Sequence, residues 1–109
     1  MNESGQRYNY EYRIQHADRP GFRIVELQLS PTQNVPWHAH SNVQDTFYVL
    51  NGRLKLSLQE PDEQVLLNPC ETYSVPPRRP HLVENAGESS VTFLVLQGIG
   101  DYDFVALDS

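Results

Sequence analysis

Hydrophobic and polar residues alternate along much of this chain with a period of two. Apolar or aromatic side chains recur at every second position in residues 8–12, 23–29 and 53–59. Successive side chains of a strand point to opposite faces, so this pattern predicts strands that are buried on one side. Eight prolines and six glycines divide the chain into short segments, and helical periodicity is nearly missing.

Turn signals between these segments indicate the fold class. Asn51-Gly52 is the strongest hairpin signal, because both residues tolerate positive φ. Nine or ten short strands separated by such turns predict an all-β barrel or sandwich. We expect residues 1–6 to form a flexible N-terminus and residues 7–109 to form a single domain.

Residues Val91 to Leu96 break the alternation, because both faces are apolar apart from Thr92. One face of a barrel strand can meet the core, so the other face needs a separate cover. We therefore expect a homodimer in which this outer face packs against a second subunit. The strand-like segment that carries Tyr8, Tyr10 and Tyr12 is a further candidate for that interface.

Two histidines two positions apart are the first sign of chemistry. His38 and His40 point to the same side if the segment is extended, and imidazole is a common metal ligand. Asp45 shares one strand face with Phe47 and Val49, where an unpaired carboxylate is costly to bury. A metal ion would remove that cost. Gln44 lies on the opposite face.

A second segment offers a third imidazole. The sequence Pro76-Pro77-Arg78-Arg79-Pro80 leads directly to His81, which opens a short apolar strand. Proline fixes φ and has no N–H to donate, so this segment is expected at a sheet edge or corner. His81 could therefore join His38 and His40.

The spacing of these residues resembles that of the small single-domain cupins. Their first motif reads G-x5-H-x-H-x(3,4)-E-x6-G, and their second reads G-x5-P-x-G-x2-H-x3-N. The matching positions here are Thr32, His38, His40, Asp45 and Gly52, then Cys70, Pro76, Arg78, His81 and Asn85. The resemblance implies a double-stranded β-helix, or jelly-roll barrel, with one divalent metal held by His38, His40, Asp45 and His81.

The chain departs from the motifs in four places. Thr32, Cys70 and Arg78 stand where the family has glycine, so each is expected to strain or reshape a turn. Asp45 replaces a glutamate and is one methylene shorter. The metal would then lie nearer the Asp45 strand, or a water would bridge the gap.

Other residues near the motifs are candidates for a substrate pocket. Arg78 and Arg79 could anchor a carboxylate or phosphate at the pocket mouth, or they could form a solvated turn. Trp37 could form a pocket wall or pack against the outer sheet. Phe47 and Val49 could line the pocket or fill the core.

Composition excludes several classes of function. The formal net charge of −6 argues against nucleic acid and anionic membranes as partners. No stretch approaches the roughly 20 apolar residues that span a bilayer. Residues 1–6 lack the features of a signal peptide, and the one cysteine allows no internal disulfide, so we expect a cytoplasmic location.

These observations predict a small metal-dependent enzyme that acts on a small organic molecule. Three imidazoles and one carboxylate suit Fe, Mn, Ni, Co, Cu or Zn, and the ligands alone do not choose among them. An oxygenase is one candidate, and an isomerase, cyclase or lyase is another. The alternative is a non-catalytic cupin that binds a small molecule or serves in assembly.

Overall fold

The structure is a computed structural model that describes residues 7–108. The predicted flexible segment 1–6 therefore lies outside the described residues. Ten strands follow in chain order: β1 (Tyr12–Arg19), β2 (Phe22–Leu29), β3 (Asn34–Ala39), β4 (Gln44–Asn51), β5 (Leu54–Leu58), β6 (Glu63–Leu67), β7 (Thr72–Val75), β8 (His81–Asn85), β9 (Val91–Gly98) and β10 (Val105–Ala106). Between residues 7 and 108 there is no helix that could cross a membrane.

The strands form two antiparallel sheets of five strands each. The first sheet has the order β1-β2-β9-β4-β7, and the second has the order β10-β3-β8-β5-β6. Strands that are neighbours in space are often far apart in sequence, as in the β2–β9 and β3–β8 pairs. The predicted all-β barrel is confirmed.

The inner faces of the two sheets enclose one apolar core. On β2, Val25, Leu27 and Leu29 are buried, while the residues between them are only half-buried, as the period of two predicts. Phe47 and Val49 project inward from β4, and Val49 is fully buried in the core. Tyr8 and Tyr10 pack against the same core from the chain before β1.

Strand β9 lies in the middle of the first sheet, between β2 and β4. Its inward residues Val91, Phe93 and Val95 belong to the core. On its outer face Thr92 is buried, but Leu96 is 39% exposed. Within the described chain, this outer face is therefore only partly covered.

Two of the three turn positions at which the cupin motif has glycine adopt a left-handed backbone. Cys70 has φ of 72° and Arg78 has φ of 67°. Thr32 is not among the described residues with positive φ. A non-glycine residue in this region costs on the order of 1–3 kcal/mol, so the expected strain falls on Cys70 and Arg78.

Candidate metal centre

Four side chains predicted as ligands meet in one buried cluster. β3 supplies His38, β4 supplies Asp45 and β8 supplies His81, while His40 follows the end of β3. Their ligand atoms all lie within 4.8 Å of one another. None of the four residues is more than 3% exposed, so the cluster lies inside the barrel and not on its surface.

A bulge in β3 brings His38 to the inner face. Val35 and His38 are both buried although they are three positions apart, which a regular strand would place on opposite faces. The register against β8 shifts between these two residues, and His38 then pairs with His81. One extra residue re-aims the side chains that follow it, so the bulge directs His38 toward the centre.

Each histidine is oriented by a backbone carbonyl. The Nδ1 atoms lie 2.8 Å from the Pro36 oxygen for His38 and 2.9 Å from the Arg79 oxygen for His81, and that of His40 contacts the Asp103 oxygen. A carbonyl oxygen only accepts hydrogen bonds, so each Nδ1 carries the proton and donates it. Each Nε2 is then available at the centre of the cluster, as in metal-binding histidines.

The carboxylate of Asp45 is at the centre of this arrangement. Its Oδ2 atom lies 2.9 Å from Nε2 of His40 and 3.2 Å from Nε2 of His81. Its Oδ1 atom accepts a hydrogen bond of 3.0 Å from Nε2 of Gln97, the neighbouring residue on β9. Asp45 thus reaches the imidazoles directly, whereas Gln44 points outward and donates to Thr46.

Charge in the cluster is unevenly distributed. Burial alone would raise the pKa of Asp45, but the hydrogen bonds from His40 and His81 outweigh burial and hold that pKa well below its usual range. Burial alone would lower the pKa of His40, yet Asp45 raises it. Burial and the neighbouring His81 lower the pKa of His38 to about 3, so His38 is neutral at pH 7.

The donor set fits a divalent transition metal. Three Nε2 atoms and a carboxylate oxygen of Asp45 converge on one buried point, where Nε2 of His40 and of His81 contacts Oδ2 of Asp45. A divalent cation at this point would replace these hydrogen bonds with coordination bonds, and imidazole with carboxylate suits Mn, Fe, Co, Ni, Cu and Zn. The residues therefore form a site that is capable of holding a metal.

A cavity of about 50 Å³ adjoins the cluster. Its wall contains His38, His40, Asp45 and the predicted lining residue Phe47. Its other lining residues were not predicted from the sequence as pocket residues; besides core residues such as Phe93 and Val95, they are Tyr8, Arg13, Arg23, Gln97, Tyr102 and Phe104. The ring of Phe104 stacks on His38 with centroids 4.4 Å apart.

A sequence signal existed for some of these missed residues. Arg23 shares the inward parity of Val25 and Leu27, so the period of two already placed it on the cavity face. Tyr102 and Phe104 follow β9 and alternate with Asp101 and Asp103, so the period of two indicated that the two rings share one side of the chain. It did not indicate that this side returns to the centre.

The other predicted pocket residues are not brought to this cavity. Val49 lies in the core, and Trp37 is half-buried outside the cavity lining. Arg78 is exposed, and its backbone N–H donates to the His40 oxygen over 2.6 Å.

Arg79 is adjacent to His81 in sequence, but its guanidinium is directed away from the cavity. It donates to the backbone oxygens of Gln59 and Pro61 and to the carboxylate of Glu63, at 3.1, 2.8 and 3.0 Å. These acceptors belong to the turn between β5 and β6 and to the start of β6. Because three acceptors lie there, the guanidinium points toward that turn. Arg79 therefore stabilises the β5–β6 turn.

Solved structures share this architecture at low sequence identity. A conserved Klebsiella pneumoniae protein with a double-stranded β-helix domain has a TM-score of 0.78 and 19% identity, covering 90% of this chain and 84% of that one. An oxalate oxidase has a TM-score of 0.73 and 17% identity, covering 80% of this chain and 46% of that one. Oxalate decarboxylase from Bacillus subtilis, studied for its Mn(II) centres, has a TM-score of 0.73 and 20% identity.

The chain covers 24% of that decarboxylase, so it spans about a quarter of that enzyme and about half of the oxidase. No match was found among curated proteins. The family model for the cupin domain matches residues 25–97, which is more than half of the sequence and includes all four clustered side chains. With its two sheets and its double-stranded β-helix neighbours, this chain belongs to the cupin family.

Proposed function

We propose that this protein is a small metal-dependent cupin enzyme that acts on a small organic molecule in the barrel cavity. The buried cluster of three histidines and one aspartate beside that cavity carries the proposal. Oxidoreductase chemistry, such as that of an oxygenase, is the first class to test, and isomerase, cyclase or lyase chemistry is the second. The oxalate oxidase among the structural neighbours supports testing the first class, and the Mn(II) oxalate decarboxylase, whose reaction is that of a lyase, supports testing the second.

His38, His40, His81 and Asp45 would hold one divalent ion. When bound, such an ion supplies a Lewis acid with coordination positions left open for a substrate or water. The chain's own residues prepare the site: the three backbone carbonyls orient the imidazoles, and Gln97 holds the second oxygen of Asp45. The rings of Tyr8, Tyr102 and Phe104 form part of the cavity wall.

A non-catalytic cupin that binds a small molecule or serves in assembly is the second candidate. The small cavity volume of about 50 Å³ favours it, since few substrate atoms fit beside the cluster. The two candidates differ in turnover, because only an enzyme converts its ligand.

Metal analysis and a substrate screen test the proposal. Purified protein should contain about one divalent metal per chain, and the double variant His38→Ala/His40→Ala should lose it. His16→Ala is the matched control, because His16 lies on the exposed face of β1 and contacts Glu26. Protein loaded separately with Fe(II), Mn(II), Ni(II) and Zn(II) should convert at least one small organic substrate.

Full metal stoichiometry in the double variant would overturn the assignment of the site. Metal binding without turnover across the screen would favour the non-catalytic candidate.

A further inference from the structure

The cavity beside the metal centre has a basic wall. Arg13 and Arg23 both line it, and among residues 7–108 Asp45 is the only acidic residue in its lining. The charge of Asp45 is already engaged by His40, His81 and Gln97. In a chain of net charge −6, this local excess of positive charge favours an anionic ligand.

Arg23 is in register with the centre. It pairs with Gln97 on β9, and Gln97 pairs with Asp45 on β4, so the three residues form one row across adjacent strands. Neighbouring strands lie about 4.8 Å apart, which places the Arg23 backbone about 10 Å from that of Asp45. An arginine side chain directed inward from this position can meet one end of a small molecule whose other end reaches the centre.

The hydrogen-bonding capacity of Arg23 is not fully used within residues 7–108. Its Nε atom is buried and has no hydrogen-bond partner among those residues. No aspartate or glutamate among them forms a salt bridge with Arg23. The ring of Tyr102 lies against the guanidinium, with Cζ 3.7 Å from the ring centroid. Stacking of this kind fixes the plane of an arginine. A side-chain hydrogen bond also joins Arg23 to Tyr102, so it is the Nε–H that remains for an acceptor such as a carboxylate.

Arg23 also stands at a boundary between two spaces. A surface cleft of about 310 Å³ adjoins the inner cavity, and Arg23, Gln97 and Tyr102 line both. The cleft has mixed charge, because Asp18 and Asp101 contribute to its wall. The inner cavity has room for only a few water-sized groups, so a ligand that reaches the centre has few atoms beyond this boundary.

We propose that Arg23 determines specificity by binding the carboxylate of a small organic acid at this junction. A second oxygen of the same acid then faces the centre formed by His38, His40, Asp45 and His81. The proposal rests on the proposed function, since it assumes that the cavity takes a small organic ligand beside a bound metal. It names the class of ligand, an organic acid, and the residue that selects it.

Binding of matched acid and amide probes tests this role. Calorimetric titration of Zn(II)-loaded protein with glycolate, lactate and oxalate should detect binding of at least one acid, and the corresponding amide should bind more weakly. Arg23→Gln should weaken acid binding about tenfold or more and leave amide binding and zinc content unchanged. Arg23→Lys keeps the positive charge but lacks the planar guanidinium, so its affinity for the acids should lie between those of the unmodified protein and Arg23→Gln. It also serves as a second variant in case Arg23→Gln fails to fold.

Arg53→Gln is the control, because Arg53 is exposed at the Gly52 turn and lies outside the cavity. It should bind each probe as the unmodified protein does. The proposal is overturned if Arg23→Gln binds the acids normally, if it weakens acid and amide equally, or if no acid binds the zinc-loaded protein. Failure to bind zinc at all would instead contradict the proposed function, so the two failures are distinguishable.

Discussion

At the scale of single residues, the candidate metal centre depends on how hydrogen bonds orient the four side chains that could ligate a metal. Each imidazole uses Nδ1 for a backbone carbonyl, and Asp45 divides its two oxygens between Gln97 and the histidines. Removing a hydrogen-bond partner of a metal ligand commonly lowers metal affinity 10- to 100-fold. The shorter aspartate still reaches the imidazoles, because its Oδ2 lies within 3.2 Å of two Nε2 atoms.

Asp45 and Gln44 give the sharpest residue-level prediction. Asp45→Asn removes the negative charge from the buried centre, so the dissociation constant for Zn(II) should rise about 10-fold or more. Gln44→Ala changes a side chain that points outward to Thr46 and should leave that constant unchanged. Competition with a chelating dye measures both dissociation constants. If only Gln44→Ala weakened zinc binding, the register of β4 would differ from the one described.

At the scale of elements, irregular backbone positions the site as much as the regular strands do. The bulge between Val35 and His38 directs the first histidine inward. The left-handed turn at Arg78 brings its N–H to the carbonyl of His40, just before His81 opens β8. The period of two in the sequence predicted the strands, but it could not predict a bulge, because an inserted residue changes parity without changing composition.

Glycine substitutions test the turns. Arg78→Gly removes the steric cost of positive φ from an exposed residue, and this gain exceeds the entropic cost of glycine, so the free energy of unfolding should rise by about 0.5–1 kcal/mol. Thr32→Gly is the matched control, because Thr32 is exposed but has no positive φ, and it should destabilise the protein slightly. Urea unfolding measures both changes; equal effects of the two substitutions would contradict the assigned turn conformations.

At the scale of the whole molecule, the sequence predicted the cluster of three histidines and one aspartate better than the cavity. His38, His40, Asp45 and His81 were found because each lies in a motif of fixed spacing. Arg78 and Arg79 were candidates for the pocket mouth because they precede His81, with a solvated turn as the alternative, and adjacency does not determine where a side chain points. Tyr102 and Phe104 share one side of an alternating segment, but tertiary folding decides which space that side faces, and a short-range pattern does not record it.

The homodimer stays a prediction. The outer face of the sheet that contains β9 exposes Phe22 at 41% and Leu96 at 39%, and a groove between them also contacts Ile24 and Thr46. Burial of these apolar side chains against a second copy would stabilise a dimer. Light scattering at micromolar concentration should give about twice the 12.5 kDa of one chain.

Leu96→Glu should shift that mass toward the monomer, because it places a charge in the proposed interface. Leu66→Glu is the control, since Leu66 is also exposed but lies on β6 of the other sheet. A clean monomer for the unmodified protein would remove the dimer hypothesis.

Both the proposed function and the proposed role of Arg23 require that His38, His40, Asp45 and His81 together hold a single metal ion. Anomalous scattering from crystals of Mn(II)- or Zn(II)-loaded protein, collected at the absorption edge of that metal, locates the ion directly. We predict one strong peak per chain, bounded by the three Nε2 atoms and the Asp45 carboxylate. A fully loaded protein whose peak lies elsewhere, or whose crystals show no peak within this cluster, would contradict the account.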